Sequence, residues 1–339
     1  MSGFTPFLNL AVSGAPLTPE QMRAAMDAIL SGAASDIEIA GFLTALRARG
    51  ETVAEITAAA EAMRAMAVRV DAPADAIDTC GTGGDGAGTY NISTATALIV
   101  AGCGVPVAKH GNKAASSKSG SSEVLAALGV KLEIGPELIS RCIHEAKVGF
   151  MFAPLHHKAV GHAAAARKAL GVRTLFNVLG PLSNPAGAKR QLMGVFAREL
   201  ILPIAQTLPR LGVEAAWVVH GSDGLDELTT TGPTYVAALR GGVVEEFEVT
   251  PEDAGLSRAT MADLQGGDPE ENAAALTCLL DGAAGAYRDI AVLNAAAALI
   301  IAGKAQNLSD AARLAERAID DGAAKAALAK LVALSNGPA

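Results

Sequence analysis

At Asp71-Ala72-Pro73-Ala74-Asp75 the sequence changes its period, and this constrains the fold more than any other feature of the chain. Upstream of the break, apolar side chains recur at helical spacing: Met22, Met26, Ile29 and Leu30, then Ile39, Phe42, Leu43 and Leu46, then Val53, Ile56, Ala60 and Met63. Each run follows a hydroxyl residue with Gln or Glu three positions on, as in Thr18 with Gln21, Ser35 with Glu38 and Thr52 with Glu55. Such a pair satisfies two free amides at a helix start. Gly32 and Gly50 supply stops, so the chain up to the break is predicted to form three helices.

Downstream, short β runs alternate with helical ones. Strands are predicted at Ile77 to Cys80, Val105 to Ala108, Gly149 to Phe152, Gln191 to Phe196 and Ala215 to His220. Helices are predicted at Ser93 to Cys103, Ser122 to Leu128, Pro136 to Ala146 and Arg198 to Leu211. Strands followed by a polar loop and then a helix imply a largely parallel, buried sheet. Tyr235 to Leu239 and Val243 to Val249 flank Arg240-Gly241-Gly242 as a hairpin, and the tail after Asn272 is helical with alanine-rich contact faces. The fold class is therefore α/β, with a small N-terminal all-helical domain, a border near residue 72 and a larger α/β domain with a mostly parallel central sheet. A length of 339 residues agrees with about two domains.

Composition narrows the function. Hydrophobic residues make up 50% and charged residues 18%, enough for a large core and against disorder. The net charge of −8, with no Lys/Arg run beyond two residues, disfavours a nucleic-acid or anionic-membrane surface. The longest charge-free stretch, Gly86 to Ala108, is interrupted by Asn91, Ser93, Thr94, glycines and Pro106, which does not suit a lipid-facing span. Cys80, Cys103, Cys142 and Cys278 are widely spaced in apolar surroundings and read as buried thiols of a reducing compartment. Met1 to Leu17 carries no basic residue and no long apolar run, so no secretory signal is expected and the cytoplasm is the default.

Three loops carry chemistry. Asp78-Thr79-Cys80-Gly81-Thr82-Gly83-Gly84-Asp85-Gly86 lies between a strand and a helix, where glycine amides and a helix N-terminus suit an anion. Tight-turn packing is the other reading, and the spacing is neither a Walker A loop nor GxGxxG. Asn91-Ile92-Ser93-Thr94 then opens the helix with polar side chains, of which one or two serve simply as caps. The second loop, Lys109 to Ser122, holds three lysines and many hydroxyls with no acid before Glu123. Alone it is either a solvated loop or a phosphate site, but two such loops at strand ends together suggest a polyphosphate ester. The third loop, Gly221 to Leu228, carries Asp223, Asp226 and Glu227, either ordinary surface acids or hard oxygen ligands for Mg²⁺. Arg167, in an alanine run, reads by itself as a helix-surface cation, and His157 as an ordinary loop histidine.

In order and in residue detail these loops resemble the anthranilate phosphoribosyltransferase family of tryptophan biosynthesis. The family's GTGGD, NxST, KHGN-type and DGxDE signatures stand here as Gly81 to Asp85, Asn91 to Thr94, Lys109 to Glu123 and Asp223 to Glu227. The likeness extends over essentially the whole chain, including Arg173 to Leu182. It implies a nucleoside phosphorylase/phosphoribosyltransferase-like fold in which a helical domain of residues 1–72 is rejoined by about 167–188, leaving 73–166 and 189–339 as the α/β domain. It also implies a homodimer formed through the helical domain, with the active site at the hinge.

The implied phosphoribosyl pyrophosphate site comprises Gly81, Gly84, Asp85, Thr89, Asn91, Ile92, Ser93, Thr94, Lys109, His110, Gly111, Asn112, Lys113, Ala114, Ala115, Ser116, Ser117 and Ser121. Ser93, Asp226 and Glu227 match positions that hold two Mg²⁺ ions. Gly81, His110, Asn112, His157, Arg167 and Pro181 match the anthranilate site, with Arg167 on the acceptor carboxylate. Lys109, Asn112 and Arg167 are the implied catalytic residues. The implied reaction is attack of the neutral anthranilate amine on C1 of phosphoribosyl pyrophosphate with loss of pyrophosphate, which requires no covalent nucleophile. The chain departs from the family pattern at His157-Lys158-Ala159-Val160, where many members have His-Pro-Ala-Met, and at Ser121-Ser122-Glu123, in place of Ser-Ala-Asp. A pyrimidine-nucleoside phosphorylase and a non-enzymatic nucleic-acid-binding relative are the alternatives. The first would not need the paired Asp226-Glu227, and the second would need a basic surface.

Overall fold

The structure, a computed structural model, describes residues 3–113 and 118–337. Four helices precede the break: α1 (Thr5–Val12), α2 (Pro19–Leu30), α3 (Asp36–Arg49) and α4 (Val53–Ala65). Thr18, Ser35 and Thr52 form the three reciprocal caps expected at α2, α3 and α4. The reading of three helices needs correction, because α1 follows an N-cap, Phe4, that offers no side-chain cap, and its start is marked by Pro6 alone. It is held instead by packing, with the Phe4 ring edge-on to Phe42 at 5.4 Å.

After the break come β1 (Ile77–Gly81), α5 (Ile92–Gly102), β2 (Val107–Gly111), α6 (Ser121–Ala127), α7 (Pro136–Arg141) and β3 (Val148–Phe152). Then follow α8 (Ala153–His156), α9 (Ala164–Leu170), α10 (Phe176–Leu182), β4 (Arg190–Gly194), α11 (Ile201–Thr207) and β5 (Ala215–Gly221). The hairpin is β6 (Thr234–Arg240) and β7 (Val243–Val249), turned by Gly241 and Gly242, both at positive φ. Helices α12 (Pro269–Leu280), α13 (Ala286–Ile301), α14 (Leu308–Asp320) and α15 (Ala323–Ser335) close the chain.

The boundaries shift for local reasons. Pro106 has no amide to donate, so β2 pairs from Val107 rather than Val105, while the Pro106 carbonyl accepts from Ile77. The helix expected over Pro136 to Ala146 changes at Cys142–Ala146 to a π-helical turn that ends on left-handed Lys147. Arg198 to Leu211 is α11 between two 3₁₀ turns. Of the four cysteines, Cys80 and Cys142 are buried, but Cys103 is half-buried and Cys278 is exposed on α12, which corrects the expectation of four buried thiols.

The sheet order is β3-β2-β1-β4-β5-β6-β7, parallel through β5 and antiparallel beyond it. Alternation along each strand sends neighbouring side chains to two different cores. Leu192, Val219 and Val236 join α5 and the C-terminal helices, while Met193, Val218 and Ala237 join α1 to α4 and α11. Ala163, Ala166, Leu175, Phe176 and Leu179 pack into that second core, so α9 and α10 lie against the bundle. Strand order reverses about β1, with β2 and β3 on one side and β4 and β5 on the other. Parallel sheets open a crevice at the carboxyl ends of the strands at such a point.

Candidate active site

Three loops leave the carboxyl ends of β1, β2 and β5 and face this crevice. A cavity of about 310 Å³ lies between them. It adjoins a second cavity of about 280 Å³, and His110, Asn112, Ala153, Arg167, Phe176 and Gly180 line both.

The loop after β1 is fixed from two sides. Thr82 donates its amide to the Gly194 carbonyl at 2.9 Å, and Gly83, left-handed at φ +66, donates to Asp226 Oδ2 at 2.6 Å. Arg173 donates its guanidinium to the Gly84 carbonyl and lies 4.3 Å from the Phe196 ring centroid. At Gly81 a Cβ would strike the Asp226 carboxylate, so glycine here is a close-approach requirement.

On β2, Lys109 is buried, its Nζ donating to the Thr79 carbonyl at 2.5 Å and to Ser93 Oγ at 3.1 Å. Burial lowers its ammonium below the usual lysine range, opposed chiefly by Asp78. Asp78 is wholly buried, accepting from the His110 amide at 3.1 Å and from Asn184 Nδ2 at 2.7 Å. His110 Nδ1 stands 3.1 Å from the Gly180 carbonyl, which makes it the donor and leaves Nε2 with a free lone pair. Burial, with His157 and His156 adding, pushes His110 down to about 3, and burial, with His156 adding, pushes His157 down to about 4. Both rings are neutral at pH 7, and their centroids are 5.1 Å apart.

The third loop divides its acids. Asp223 turns away from the cavity and accepts from the Thr229 and Thr231 hydroxyls, each at 2.6 Å, so it braces the loop. Asp226 and Glu227 reach the cavity wall. Burial, then the charge of Asp85, raises Asp226 to about 7, and burial, then Asp226, raises Glu227 to about 8. Crowded, desolvated carboxylates of this kind are relieved by a cation, and carboxylates with the Ser93 hydroxyl are a hard oxygen set. Among the described residues no three His, Cys, Asp or Glu side chains converge into a closed cage. Such a set fits a magnesium ion that completes its shell with water and phosphate oxygens.

Of the residues singled out in the sequence, Gly81, Gly84, Asp85, Thr89, Asn91, Ile92, Ser93, Lys109, His110, Gly111, Asn112, Lys113, Ser121, Arg167, Pro181, Asp226 and Glu227 line the first cavity. His157 lines the second. Thr94 is not brought to the wall, being buried in α5 at 1% exposure. Ala114, Ala115, Ser116 and Ser117 lie outside the described residues. Arg167 sits 5.1 Å from the Phe176 ring centroid and has no acid within ion-pair reach among the described residues. Sequence reasoning missed Tyr90, Phe176 and Asn177 in the lining, and the bracing by Asp78, Asn184 and Arg173. Only Asp78 and Arg173 to Asn177 lay within quoted motifs, and there with no role of their own.

Phosphate-type loops and paired carboxylates at the switch point of a parallel sheet, flanked by a helical bundle, define a glycosyl-transferring enzyme of two-domain build. Residues 5–67 match the glycosyl transferase family, helical bundle domain, and residues 73–325 match the glycosyl transferase family, a/b domain. The chain is 60% identical over 337 residues to the anthranilate phosphoribosyltransferase of Parvibaculum lavamentivorans, covering 99% of each, and 61% identical over 332 residues to that of Rhodospirillum rubrum, covering 98% of this chain and 96% of the relative. The Thermus thermophilus enzyme structure superposes with a TM-score of 0.93 at 43% identity, covering 98% of this chain and 99% of that one. The Saccharomyces cerevisiae enzyme, solved in complex with phosphoribosyl pyrophosphate and Mg, gives 0.90 at 27% identity, covering 98% and 97%. The chain belongs to the anthranilate phosphoribosyltransferase family.

Proposed function

We infer that this protein transfers the 5-phosphoribosyl group of phosphoribosyl pyrophosphate to the amine of anthranilate, releasing pyrophosphate, in tryptophan biosynthesis. The observation that carries the reading is the pair of adjoining cavities. One is walled by glycine amides, Lys109 and two carboxylates, and the other is walled by Phe176, His157 and the unpaired Arg167. The first suits a polyphosphate ester, the second a flat aromatic acid, and they meet at His110 and Asn112.

Gly81, Gly84, Asp85, Thr89, Asn91, Ile92, Ser93 and the Lys109 to Ser121 loop are assigned to the donor. Ser93, Asp226 and Glu227 would hold Mg²⁺, two ions per subunit by likeness to the family. When bound, Mg²⁺ neutralises charge on the pyrophosphate oxygens. Lys109, held against Ser93, stabilises charge on the departing pyrophosphate, and the loop amides add oriented dipoles. Arg167 receives the anthranilate carboxylate as a planar fork, and Asn112 orients the acceptor beside His110. The aromatic amine is neutral at pH 7 and attacks C1 as the C1–O bond to pyrophosphate breaks. The electron pair leaves with pyrophosphate, and the product nitrogen releases its proton afterwards. Positioning and leaving-group stabilisation therefore supply most of the catalysis.

Residues 1–72 with about 167–188 are assigned to one body and 73–166 with 189–339 to the other. The packing of α9 and α10 on α3 and α4 supports grouping them with the bundle, in a core that Met193, Val218 and Ala237 of the sheet also join. Homodimer formation through the bundle is supported by Val12 and Ile37, exposed at 69% and 85% on α1 and α3. No helix among the described residues is long and apolar enough to cross a membrane, and the cytoplasm is the assigned compartment. The nucleoside phosphorylase and nucleic-acid-binding alternatives are not favoured. The test is anthranilate fluorescence: decay requiring both phosphoribosyl pyrophosphate and Mg²⁺ is the expected result, and phosphate-driven nucleoside cleavage with no anthranilate decay refutes the reading.

A further inference from the structure

Asn272 lies on α12, 1% exposed and outside the lining of either cavity, yet its side chain bonds Asn91, which lines the donor cavity. The Gly267 amide donates to Asn272 Oδ1 at 2.8 Å, which fixes the direction of the Asn272 amide. Its Nδ2 then donates to Asn91 Oδ1 at 3.0 Å. Asn91 Oδ1 also accepts from Ser119 Oγ at 3.3 Å, and Asn91 Nδ2 donates to the Ser119 carbonyl at 3.2 Å. One backbone N–H thus sets the polarity of two amides in series, and the second joins the loop before α5 to the loop before α6. With Asn91 reversed, two donors would face each other at Asn272 and two acceptors at the Ser119 carbonyl.

We propose that Asn272 is a positioning residue for the phosphoribosyl pyrophosphate site, acting only through the orientation of Asn91. The inference rests on the reading of Asn91, Ser93, Lys109 and Ser121 as donor ligands. Because Asn272 touches neither substrate, its loss weakens donor binding, leaves the acceptor site alone and leaves the chemical step intact once donor is saturating.

The test measures phosphoribosyl pyrophosphate binding to the full chain with Mg²⁺ by calorimetry, with steady-state kinetics beside it, for Asn272→Ala, Asn91→Ala and the double variant. Asn272→Ala is expected to weaken donor binding by about tenfold or more, with kcat within about threefold and the anthranilate KM unchanged. In the Asn91→Ala background it is expected to add less than about threefold, because the group it acts through has gone. A purely structural role would add its full penalty in either background, and that result overturns the proposal, as does parental donor affinity in Asn272→Ala or a fall confined to kcat. If Asn272→Ala does not fold, Asn272→Ser carries the same cycle with the same expectations. Parental protein that binds no phosphoribosyl pyrophosphate overturns the functional reading itself, a failure separate from that of Asn272.

Discussion

Gly194→Ala is a one-carbon change outside the cavity lining that should disable the enzyme. Gly194 ends β4, paired on one side to Gly81 and on the other to Val219, so its backbone cannot yield. Its φ lies outside the left-handed region, and alanine is acceptable there by conformation. Space is the obstacle: a Cβ would overlap the carbonyl carbon and oxygen of Asp226 and stand 3.1 Å from its Cα. The Asp226 peptide must retreat by about 2 Å to regain ordinary contact, carrying Glu227 with it. A misplacement of about 1 Å is enough to cost about 100-fold, so kcat/KM for phosphoribosyl pyrophosphate should fall by at least that factor, with more Mg²⁺ needed for half-maximal rate. Gly149→Ala is the matched control, since its Cβ would meet Ile143 Cγ1 at 2.5 Å and the Ile139 carbonyl at 2.9 Å in the outer part of the sheet. It should lower the unfolding midpoint, by about 1 to 3 kcal/mol of overpacking, while folded protein keeps its rate and Mg²⁺ dependence. Rates and Mg²⁺ titrations on both variants, with denaturant unfolding, provide the measurement. Gly194→Ala with parental activity and an unchanged Mg²⁺ curve would refute the close-approach argument.

Three further outcomes are expected. Asp226→Asn with Glu227→Gln should lose turnover by orders of magnitude with the fold intact by circular dichroism; in the parent, protons compete for carboxylates raised to about 7 and 8, so calorimetric Mg²⁺ affinity should strengthen from pH 6 to pH 9. Glu55, wholly buried, accepts from Arg49, Leu17 and Thr52, so Glu55→Ala should cost about 3 to 5 kcal/mol in urea unfolding; burial alone would raise this carboxyl, but those bonds hold it below the usual range, so its contribution is present above the unfolded value and is lost as pH falls through the folded one. Arg167→Lys should raise the anthranilate KM and Arg167→Ala raise it further, by roughly 10- to 150-fold in kcat/KM, and a penalty on phosphoribosyl pyrophosphate instead would sink the assignment.

Much of this architecture was legible because its signals are local. Capping boxes at Thr18, Ser35 and Thr52 mark helix starts within four residues, and strand, glycine loop and helix follow one another in sequence. The π-helical turn at Cys142–Ala146 was not legible, since it depends on packing, and α1 was passed over because Pro6 alone marks its start where the next three helices each carry a side-chain cap. The site divides in the same way. Loops that supply their own amides announce themselves by glycine, whereas spacing and composition leave Asp223, Asp226 and Glu227 alike, and only the family resemblance singled out Asp226 and Glu227. Thr229 and Thr231 claim Asp223, and Gly83 claims Asp226, through contacts set by the sheet.

The border near residue 72 divides the pattern of the sequence, but not the forces that shape the acceptor wall. Arg64, on α4, is half-buried and donates to the carbonyls of Leu182 at 2.6 Å and Leu211 at 2.7 Å, tying the bundle to the ends of two turns from beyond the border. Leu182 closes α10, which carries Phe176 and Gly180 on the cavity wall, while Asn184, just beyond, holds Asp78 in the sheet. Arg167 and its stacking partner Phe176 are therefore positioned by a core that belongs equally to the bundle and to β4, β5 and β6. The acceptor wall is thus tied at once to the bundle and to the sheet that carries the donor loops. His110 lies where the two meet, bonded through Nδ1 to Gly180 of α10 and through its amide to Asp78 of β1.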